Sequence, residues 1–150
     1  MQPVRIPDLS RRPFHLKVER IMETPPGVLF DAWTKQFDRW FAAPGSVIMQ
    51  GEVNTAFFFE TEHNGSRYPH YGRFLKLVQD RLVKITWVTG TGGTKGEETV
   101  VTVEFEPYEK GTRLSLTHEG FPDEETKNAH EQAWPFILEH LDKRMMSDHA

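Results

Sequence analysis

Residues 131–146, EQAWPFILEHLDKRMM, carry the strongest helical pattern in the chain. An apolar stripe with a period of 3.6 residues runs along this segment, as expected for a helix that covers a core. The stripe consists of Trp134, Ile137, Leu138, Leu141 and Met145. The opposite side is predicted to face solvent and carries Glu139, His140, Asp142 and Lys143. We therefore predict a long amphipathic helix that packs on an apolar surface.

The start of this helix is marked by acidic residues and complicated by a proline. Asp123, Glu124 and Glu125 place negative charge where a helix dipole favours it. Pro135 follows, and a proline inside a helix costs about 3 kcal/mol. We therefore predict that the main helix begins near Glu131, which puts Pro135 close to its first turn.

The segment from Val47 to Glu119 reads as β structure. Short runs rich in Val, Phe, Thr and Trp are separated by turn residues at hairpin spacing. The predicted turns are Asn64-Gly65, Gln79-Asp80, the loop Gly90–Gly96 and Glu109-Lys110-Gly111. Connections this short join antiparallel neighbours, so the segment predicts a β-meander.

Alternation along the later strands indicates a sheet with one covered face. Apolar residues at 101, 103 and 105 alternate with Thr102, Glu104 and Glu106. The next strand repeats the pattern, with Leu114, Leu116 and His118 on the covered phase. A sheet covered by the C-terminal helix makes the chain an α+β protein.

The N-terminal part adds one strand and one helical region. Residues 1–13 are interrupted by prolines and read as a flexible lead-in, followed by a single domain over 14–146. Residues 14–22 alternate as a half-buried strand, and Thr24 is a suitable N-cap for the helix that follows. That helix has its own apolar stripe, which breaks into two short helices near Thr34. The stripe comprises Leu29, Trp33, Phe37, Trp40 and Phe41.

Composition excludes several classes of function. The 150 residues include no cysteine, so disulfides and thiolate chemistry are excluded. Lys and Arg total 18 against 22 Asp and Glu, and a net charge of −4 disfavours a nucleic-acid partner. No apolar run approaches the roughly 18 residues that a membrane span needs. These features predict a soluble protein, cytoplasmic by default, with no membrane insertion.

Five motifs in order add a family resemblance that covers about residues 14–146. They are Phe30-Asp-Ala-Trp33, Arg39-Trp40-Phe41, Gly72-Arg-Phe, Leu82-Val-Lys-Ile-Thr-Trp87, and Ala133-Trp134 with Leu138 and Leu141. Together they resemble the activator of heat-shock-protein ATPase homologue family, within the START-like (SRPBCC) superfamily. The resemblance implies a helix-grip fold, in which a curved antiparallel sheet wraps around a long C-terminal helix and two short helices follow the first strand. It also implies a cavity between sheet and helix, without implying an enzyme.

The resemblance bears on partners as well. Family members are often homodimers, and Phe136, which lies off the helical stripe, is a candidate contact. The eukaryotic co-chaperones carry a separate N-terminal domain that binds the chaperone, for which this sequence has no room. A chaperone partner therefore stays a hypothesis, and direct chaperone activation is disfavoured.

The residues predicted to face inward form the candidate ligand-binding set. The set comprises Trp33, Phe37, Trp40, Phe57, Phe59, Tyr71, Trp87, Val103, Phe105, Leu116, His118, Trp134, Ile137, Leu138 and Leu141. Such residues either pack as a solid core or wall a cavity for a small hydrophobic or lipid-like molecule, with Tyr71 or His118 at its polar end. A slip of one residue in strand register would exchange each inward residue for its neighbour.

His118 is the one inward histidine and has two interpretations. It is either a core histidine with hydrogen-bond partners, or a ligand anchor or general base oriented by Glu119 or Asp123. The second interpretation admits a cyclase- or hydrolase-like enzyme that uses Tyr71, Arg73 and His118. No catalytic motif supports it, so we predict no catalytic residues.

Metal and cofactor binding find no support in the spacing of the histidines. His130 and His140 are ten residues apart, not the four that a helical zinc pair needs. His63 and His70 flank the Asn64-Gly65 turn, but no third or fourth ligand is evident. We predict neither a metal site nor a cofactor. The sequence thus favours non-catalytic binding of a hydrophobic molecule, with an enzyme or a co-chaperone-like interaction module as alternatives.

Overall fold

The computed structural model describes residues 4–90 and 93–149, with side chains to residue 146, as one antiparallel sheet and three helices. The strands are β1 (Phe14–Met22), β2 (Ala56–His63), β3 (Ser66–Val78), β4 (Leu82–Thr89), β5 (Thr99–Tyr108) and β6 (Gly111–Phe121). The helices are α1 (Pro26–Thr34), α2 (Phe37–Trp40) and α3 (Glu124–His149). The spatial order β1-β6-β5-β4-β3-β2 sets the first strand beside the last. A curved sheet wraps around α3, which confirms the predicted α+β helix-grip fold.

The meander is built from tight turns at the predicted places. Asn64 and Gly65 both have positive φ, 52° and 80°, which is the geometry of the type I′ turn that suits a two-residue hairpin. Positive φ also occurs at Asp80 between β3 and β4 and at Glu109 between β5 and β6. The predicted loop Gly90–Gly96 joins β4 to β5, although its residues 91 and 92 lie outside the described part of the chain.

The predicted alternation on β5 and β6 is confirmed. Val101, Val103 and Phe105 are buried, whereas Glu104 and Glu106 between and beyond them are exposed. On β6, Leu114, Leu116 and His118 are buried in the same manner. The covered face forms one hydrophobic core with the helices, because α1, α2 and α3 all pack on that side.

The first helical region differs from the prediction at its start. It does break near Thr34, into α1 and α2, but α1 is preceded by Pro25 without a side-chain cap. The prediction that Thr24 caps this helix is wrong. Its buried hydroxyl instead donates a hydrogen bond of 2.6 Å to Asp142 of α3. The hydroxyl that was predicted to cap α1 therefore binds the Asp142 carboxylate, which lies far away in the sequence.

The C-terminal helix begins earlier than predicted, at Glu124 instead of Glu131. Asp123 caps it by accepting the N–H of Thr126 over 2.8 Å. Pro135 therefore lies inside the helix, where it removes one hydrogen bond to the carbonyl of residue 131. The helix tolerates this loss because Trp134 and its stripe neighbours are packed into the core.

The prediction that Asp142 of α3 faces solvent is also wrong. Asp142 is buried, with 6% of its surface exposed. The carboxylate accepts the main-chain N–H groups of Glu23 and Thr24, each over 3.0 Å, and the Thr24 hydroxyl. The connection from β1 to α1 covers this side of the helix, which the helical pattern alone does not reveal. One carboxylate thus fastens the last helix to the beginning of the domain.

Replacing Asp142 with Ala is expected to lower the free energy of unfolding by about 3 kcal/mol, because two buried donors of Thr24 and the partly buried N–H of Glu23 lose a charged acceptor. Asp142→Asn retains one oxygen acceptor and should cost less. The matched control is Glu139→Ala on the same helix, which removes a solvent-exposed pair with Lys143 and should change stability little. Urea denaturation measures all three, and equal losses for Asp142→Ala and Glu139→Ala would contradict the fastening role.

Candidate functional site

A cleft of about 830 Å³ opens between the first half of α3 and the sheet at β2, β3 and β4. Its walls come from both layers of the fold. The lining residues are Phe41, Thr61, His63, Tyr68, Pro69, His70, Trp87, Thr89, Gly90, Gly93, His130, Ala133, Trp134 and Ile137. Three of them, Trp87, Trp134 and Ile137, belong to the set predicted from sequence.

The cleft exists because α3 leans toward one side of the sheet. The helix packs mainly on β1, with further contacts to β6 and the two short helices. The inner face at β2 to β4 is consequently left partly uncovered, and aromatic rings wall it. The ring centroids of Trp87 and Trp134 are 5.8 Å apart, and those of Phe41 and Trp87 are also 5.8 Å apart.

Most of the predicted ligand-binding residues lie in the core beneath the cleft. Phe37 and Phe59 pack with ring centroids 4.8 Å apart, and Trp33 lies 6.1 Å from Trp134. The remaining predicted residues that are buried without lining the cleft are Trp40, Phe57, Val103, Phe105, Leu116, His118, Leu138 and Leu141. Most of the residues predicted to face inward therefore form a packed core. Trp87, Trp134 and Ile137 instead line the open cleft above that core.

Tyr71 does not face inward as predicted. It is 49% exposed on the outer face of β3, and its neighbour His70 lines the cleft. The signal that could have corrected this was in the sequence. A two-residue turn at 64 and 65 pairs His63 with Ser66, and by the same register Phe59 with His70. Residues directly opposite each other share a face, so an inward Phe59 requires an inward His70.

Phe41 also lines the cleft; it belongs to the predicted helical stripe but not to the predicted site. The other lining residues that sequence analysis missed lie where patterns are weak. Thr61, His63, Tyr68 and Pro69 belong to the outer ends of the β2–β3 hairpin, where alternation does not distinguish a rim from solvent. A second group lies on α3 just before its apolar stripe, or at the end of β4 and in the loop after it. This group comprises His130, Ala133, Thr89, Gly90 and Gly93.

His118 is a core histidine whose two ring nitrogens both have partners. The Trp134 indole N–H donates to Nδ1 over 3.1 Å, so Nδ1 carries no proton. Nε2–H then donates to the Thr99 hydroxyl over 2.8 Å, and that hydroxyl donates to the Trp87 carbonyl over 2.6 Å. Burial holds the pKa of His118 well below its usual range. These contacts fix a neutral ring that does not line the cleft.

The predicted orientation of His118 by Glu119 or Asp123 is wrong. Asp123 instead caps α3 and forms an ion pair of 2.9 Å with Lys95. That ion pair, together with the Thr126 cap, lowers the pKa of Asp123 to about 2. The acidic side chains near His118 in sequence are therefore engaged elsewhere or directed away from it.

His70 and His130 are the two partly buried imidazoles in the lining of the cleft. Each uses Nδ1 to donate to a main-chain carbonyl, His70 to Tyr68 over 3.0 Å and His130 to Thr126 over 2.8 Å. Because a carbonyl only accepts, Nδ1 carries the proton and Nε2 keeps a lone pair. Within residues 4–90 and 93–149, neither Nε2 has a hydrogen-bond partner.

The titration of these imidazoles is shifted toward the neutral form. Burial lowers the pKa of His70 to about 4, and the neighbouring His130 adds a smaller repulsive contribution. Burial also lowers the pKa of His130. Among the described residues that line the cleft, none is Asp, Glu, Lys or Arg. The site therefore combines aromatic walls, neutral imidazoles and hydroxyl groups.

The described residues offer neither a metal site nor a membrane-spanning helix. In the ranges 4–90 and 93–149, no three His, Asp or Glu side chains are arranged to hold a metal ion. Over that same part of the chain, no helix is long and apolar enough to cross a bilayer.

Acidification is expected to destabilise the protein through His70. A histidine whose pKa is about 4 when folded and about 6.5 when unfolded gives its full stabilisation above pH 6.5, and loses it as the pH falls toward 4. The slope for one proton is about 1.4 kcal/mol per pH unit. Urea denaturation between pH 7 and 4.5 should show a shallower loss for His70→Phe than for the wild type. An NMR titration of the His70 ring with a midpoint near 6.5 would contradict this.

Solved structures share this fold at low sequence identity. Protein CV1439 from Chromobacterium violaceum is 22% identical, with a TM-score of 0.73 over 87% of this chain and 96% of its own. Protein MLL2253 from Mesorhizobium loti is 21% identical, with a TM-score of 0.73 over 91% and 98% of the two chains. A structure described as the Aha1 dimer from Colwellia psychrerythraea is 18% identical, with a TM-score of 0.66 over 87% and 95%.

No curated protein matches this chain. The profile of the family described as "Activator of Hsp90 ATPase homolog 1-like protein" matches residues 23–146, which include α1, α2, β2 to β6 and nearly all of α3. Since this match extends over most of the chain, and the fold agrees with it, the protein belongs to the Activator of Hsp90 ATPase homolog 1-like family.

Proposed function

We propose that this protein binds a small hydrophobic molecule in the cleft between α3 and β2 to β4, without chemical conversion. The observation that carries the proposal is an open cleft of about 830 Å³ whose described lining has aromatic walls and no acidic, Lys or Arg side chain. Ligand sites in proteins usually measure about 300–1,000 Å³ and combine apolar walls with a few polar groups.

Two further points support binding over other activities. Membership of the family supports a ligand-binding or co-chaperone-like module. The enzymatic alternative relied on His118, and that ring is enclosed by Trp134 and Thr99. A group whose donor and acceptor sites are both used inside the core is poorly placed to exchange protons with a molecule in the cleft.

Filling the cleft from α3 is expected to abolish the binding of a neutral apolar dye. Ala133 lines the cleft and is exposed, so Ala133→Phe places a ring in the binding space without disturbing the core. Ala129, one turn earlier on the same helix, is exposed but outside the lining, so Ala129→Phe is the matched control. With Nile red as the probe, fluorescence titration should show that Ala133→Phe binds at least about tenfold more weakly than the wild type, whereas Ala129→Phe binds like the wild type.

Two results of this titration count against the proposal. Wild-type protein that does not bind Nile red, or equal binding by the Ala133→Phe and Ala129→Phe variants, would contradict a ligand site in this cleft. Native mass spectrometry of freshly purified protein complements the titration. A mass excess of a few hundred daltons that disappears on denaturation would identify a co-purified ligand by its mass.

A second candidate function is an interaction module that pairs through α3. Phe136 is 76% exposed on this helix, so a partner could cover its apolar ring, and a structural relative is described as a dimer. We propose a second copy of this chain as the partner. This assembly is compatible with ligand binding, because Phe136 does not line the cleft.

Phe136→Glu is expected to convert such a dimer to a monomer, because an interface does not accommodate an unpaired buried charge. Gln132→Glu, an exposed position one turn earlier, adds the same charge and should leave the dimer intact. Light scattering coupled to size-exclusion chromatography distinguishes the two species. A monomeric wild type would contradict this second function and leave the first untouched.

A further inference from the structure

We propose that the cleft selects neutral aromatic molecules that carry a hydrogen-bond donor, a hydroxyl or N–H group, which donates to Nε2 of His70. The inference rests on the proposed function and adds to it the chemical class of the ligand. It derives from the way His70 is held, from the lining around it, and from the hydrogen-bond capacity that remains unused.

The main chain determines which nitrogen of His70 can serve a ligand. Nδ1 donates to the carbonyl of Tyr68, which lies on the same strand and at the same rim of the cleft. The proton of a neutral imidazole is thereby placed on Nδ1, and Nε2 becomes an acceptor. Nε2 has no partner among residues 4–90 and 93–149, so a ligand donor in the cleft would satisfy it.

Aromatic rings hold the imidazole in place on several sides. The Phe59 ring stacks against it at 4.9 Å with an interplanar angle of 15°. Trp87 and Phe41 meet it edge-on, at 5.4 and 5.6 Å. A ring that is fixed in this way loses little conformational entropy when it accepts a ligand hydrogen bond, and preorganised groups bind more tightly for that reason.

The surrounding lining disfavours charged ligands. No Lys or Arg side chain among the described lining residues would pair with a carboxylate or phosphate, and no Asp or Glu would pair with an amine. Burial keeps His70 neutral near pH 7, because its pKa is about 4, so the imidazole does not serve as a cation. An ion entering the cleft would lose water without gaining a counter-charge, which is costly.

Flat aromatic ligands suit the remaining walls. The rings of Trp87 and Trp134 face the cleft with centroids 5.8 Å apart, together with Phe41 and Ile137. Offset-stacked and edge-to-face contacts with such rings stabilise aromatic molecules beyond simple area burial. His130 adds a second imidazole, also tethered through Nδ1, on the helix side of the cleft.

The test compares three probes with one ring system. 2-Naphthol carries a donor, 2-methoxynaphthalene has the same ring without a donor, and 2-naphthoate is an anion. Isothermal titration calorimetry at pH 7 is expected to give about tenfold tighter binding of 2-naphthol than of 2-methoxynaphthalene, with 2-naphthoate weakest. His70→Phe keeps an aromatic ring against Phe59 but removes the acceptor, and should reduce the ratio of the first two affinities to about one. His140→Phe is the control, since it makes the same change at an exposed histidine outside the cleft and should preserve the ratio.

Four results would overturn the inference or a stated part of it. Equal binding of 2-naphthol and 2-methoxynaphthalene by the wild type would overturn the donor preference, while binding of Nile red would still support the proposed function. A preference that persists in His70→Phe and disappears in His130→Phe would overturn the assignment to His70. Tightest binding of 2-naphthoate would overturn the selection against anions. A protein that binds neither Nile red nor any naphthalene probe would overturn the proposed function and this inference together.

Discussion

The structure depends on a chain of hydrogen bonds that runs from the last helix across three strands. The Trp134 indole donates to His118, His118 donates to Thr99, and Thr99 donates to the main chain of Trp87. Every donor and acceptor in this chain is used once, so the buried polar groups carry no unpaired cost. The same chain fixes the indole of Trp134 and the main chain of Trp87, and the side chains of these two residues are two walls of the cleft.

A second hydrogen-bonded attachment, toward the C-terminal end of α3, explains why the cleft lies at β2 to β4. Asp142 binds the connection between β1 and α1, which draws the helix toward β1. The sheet continues beyond the helix to β4, β3 and β2, and its inner face there is not fully covered. A helix centred on the sheet would close this space, whereas one attached on the β1 side leaves it open. The open site is thus a consequence of asymmetric packing.

The chemistry of the cleft follows from local main-chain tethers. His70 and His130 each donate from Nδ1 to a carbonyl, which orients the ring and leaves a lone pair on Nε2. Burial among rings lowers the pKa values of both groups and disfavours their charged forms. The protein gives up some stability at acidic pH to keep these imidazoles, because the unfolded chain binds their protons more readily. Partly buried polar groups that cost stability are common features of binding sites.

The sequence by itself determined the α+β class, the meander, the covered phase of β5 and β6, and the helix that covers them. These features depend on local periodicity and turn chemistry, such as the Asn64-Gly65 turn, which act over a few residues. Only the tertiary structure decided that α3 extends through Pro135, that Asp142 is buried, and that Thr24 bonds to Asp142. Each of these outcomes depends on a partner more than a hundred residues away or on packing that outweighs a local penalty. The position of the cleft was also decided by the tertiary structure. Strand register and the placement of α3 toward β1 together determine which inward residues are packed and which line open space.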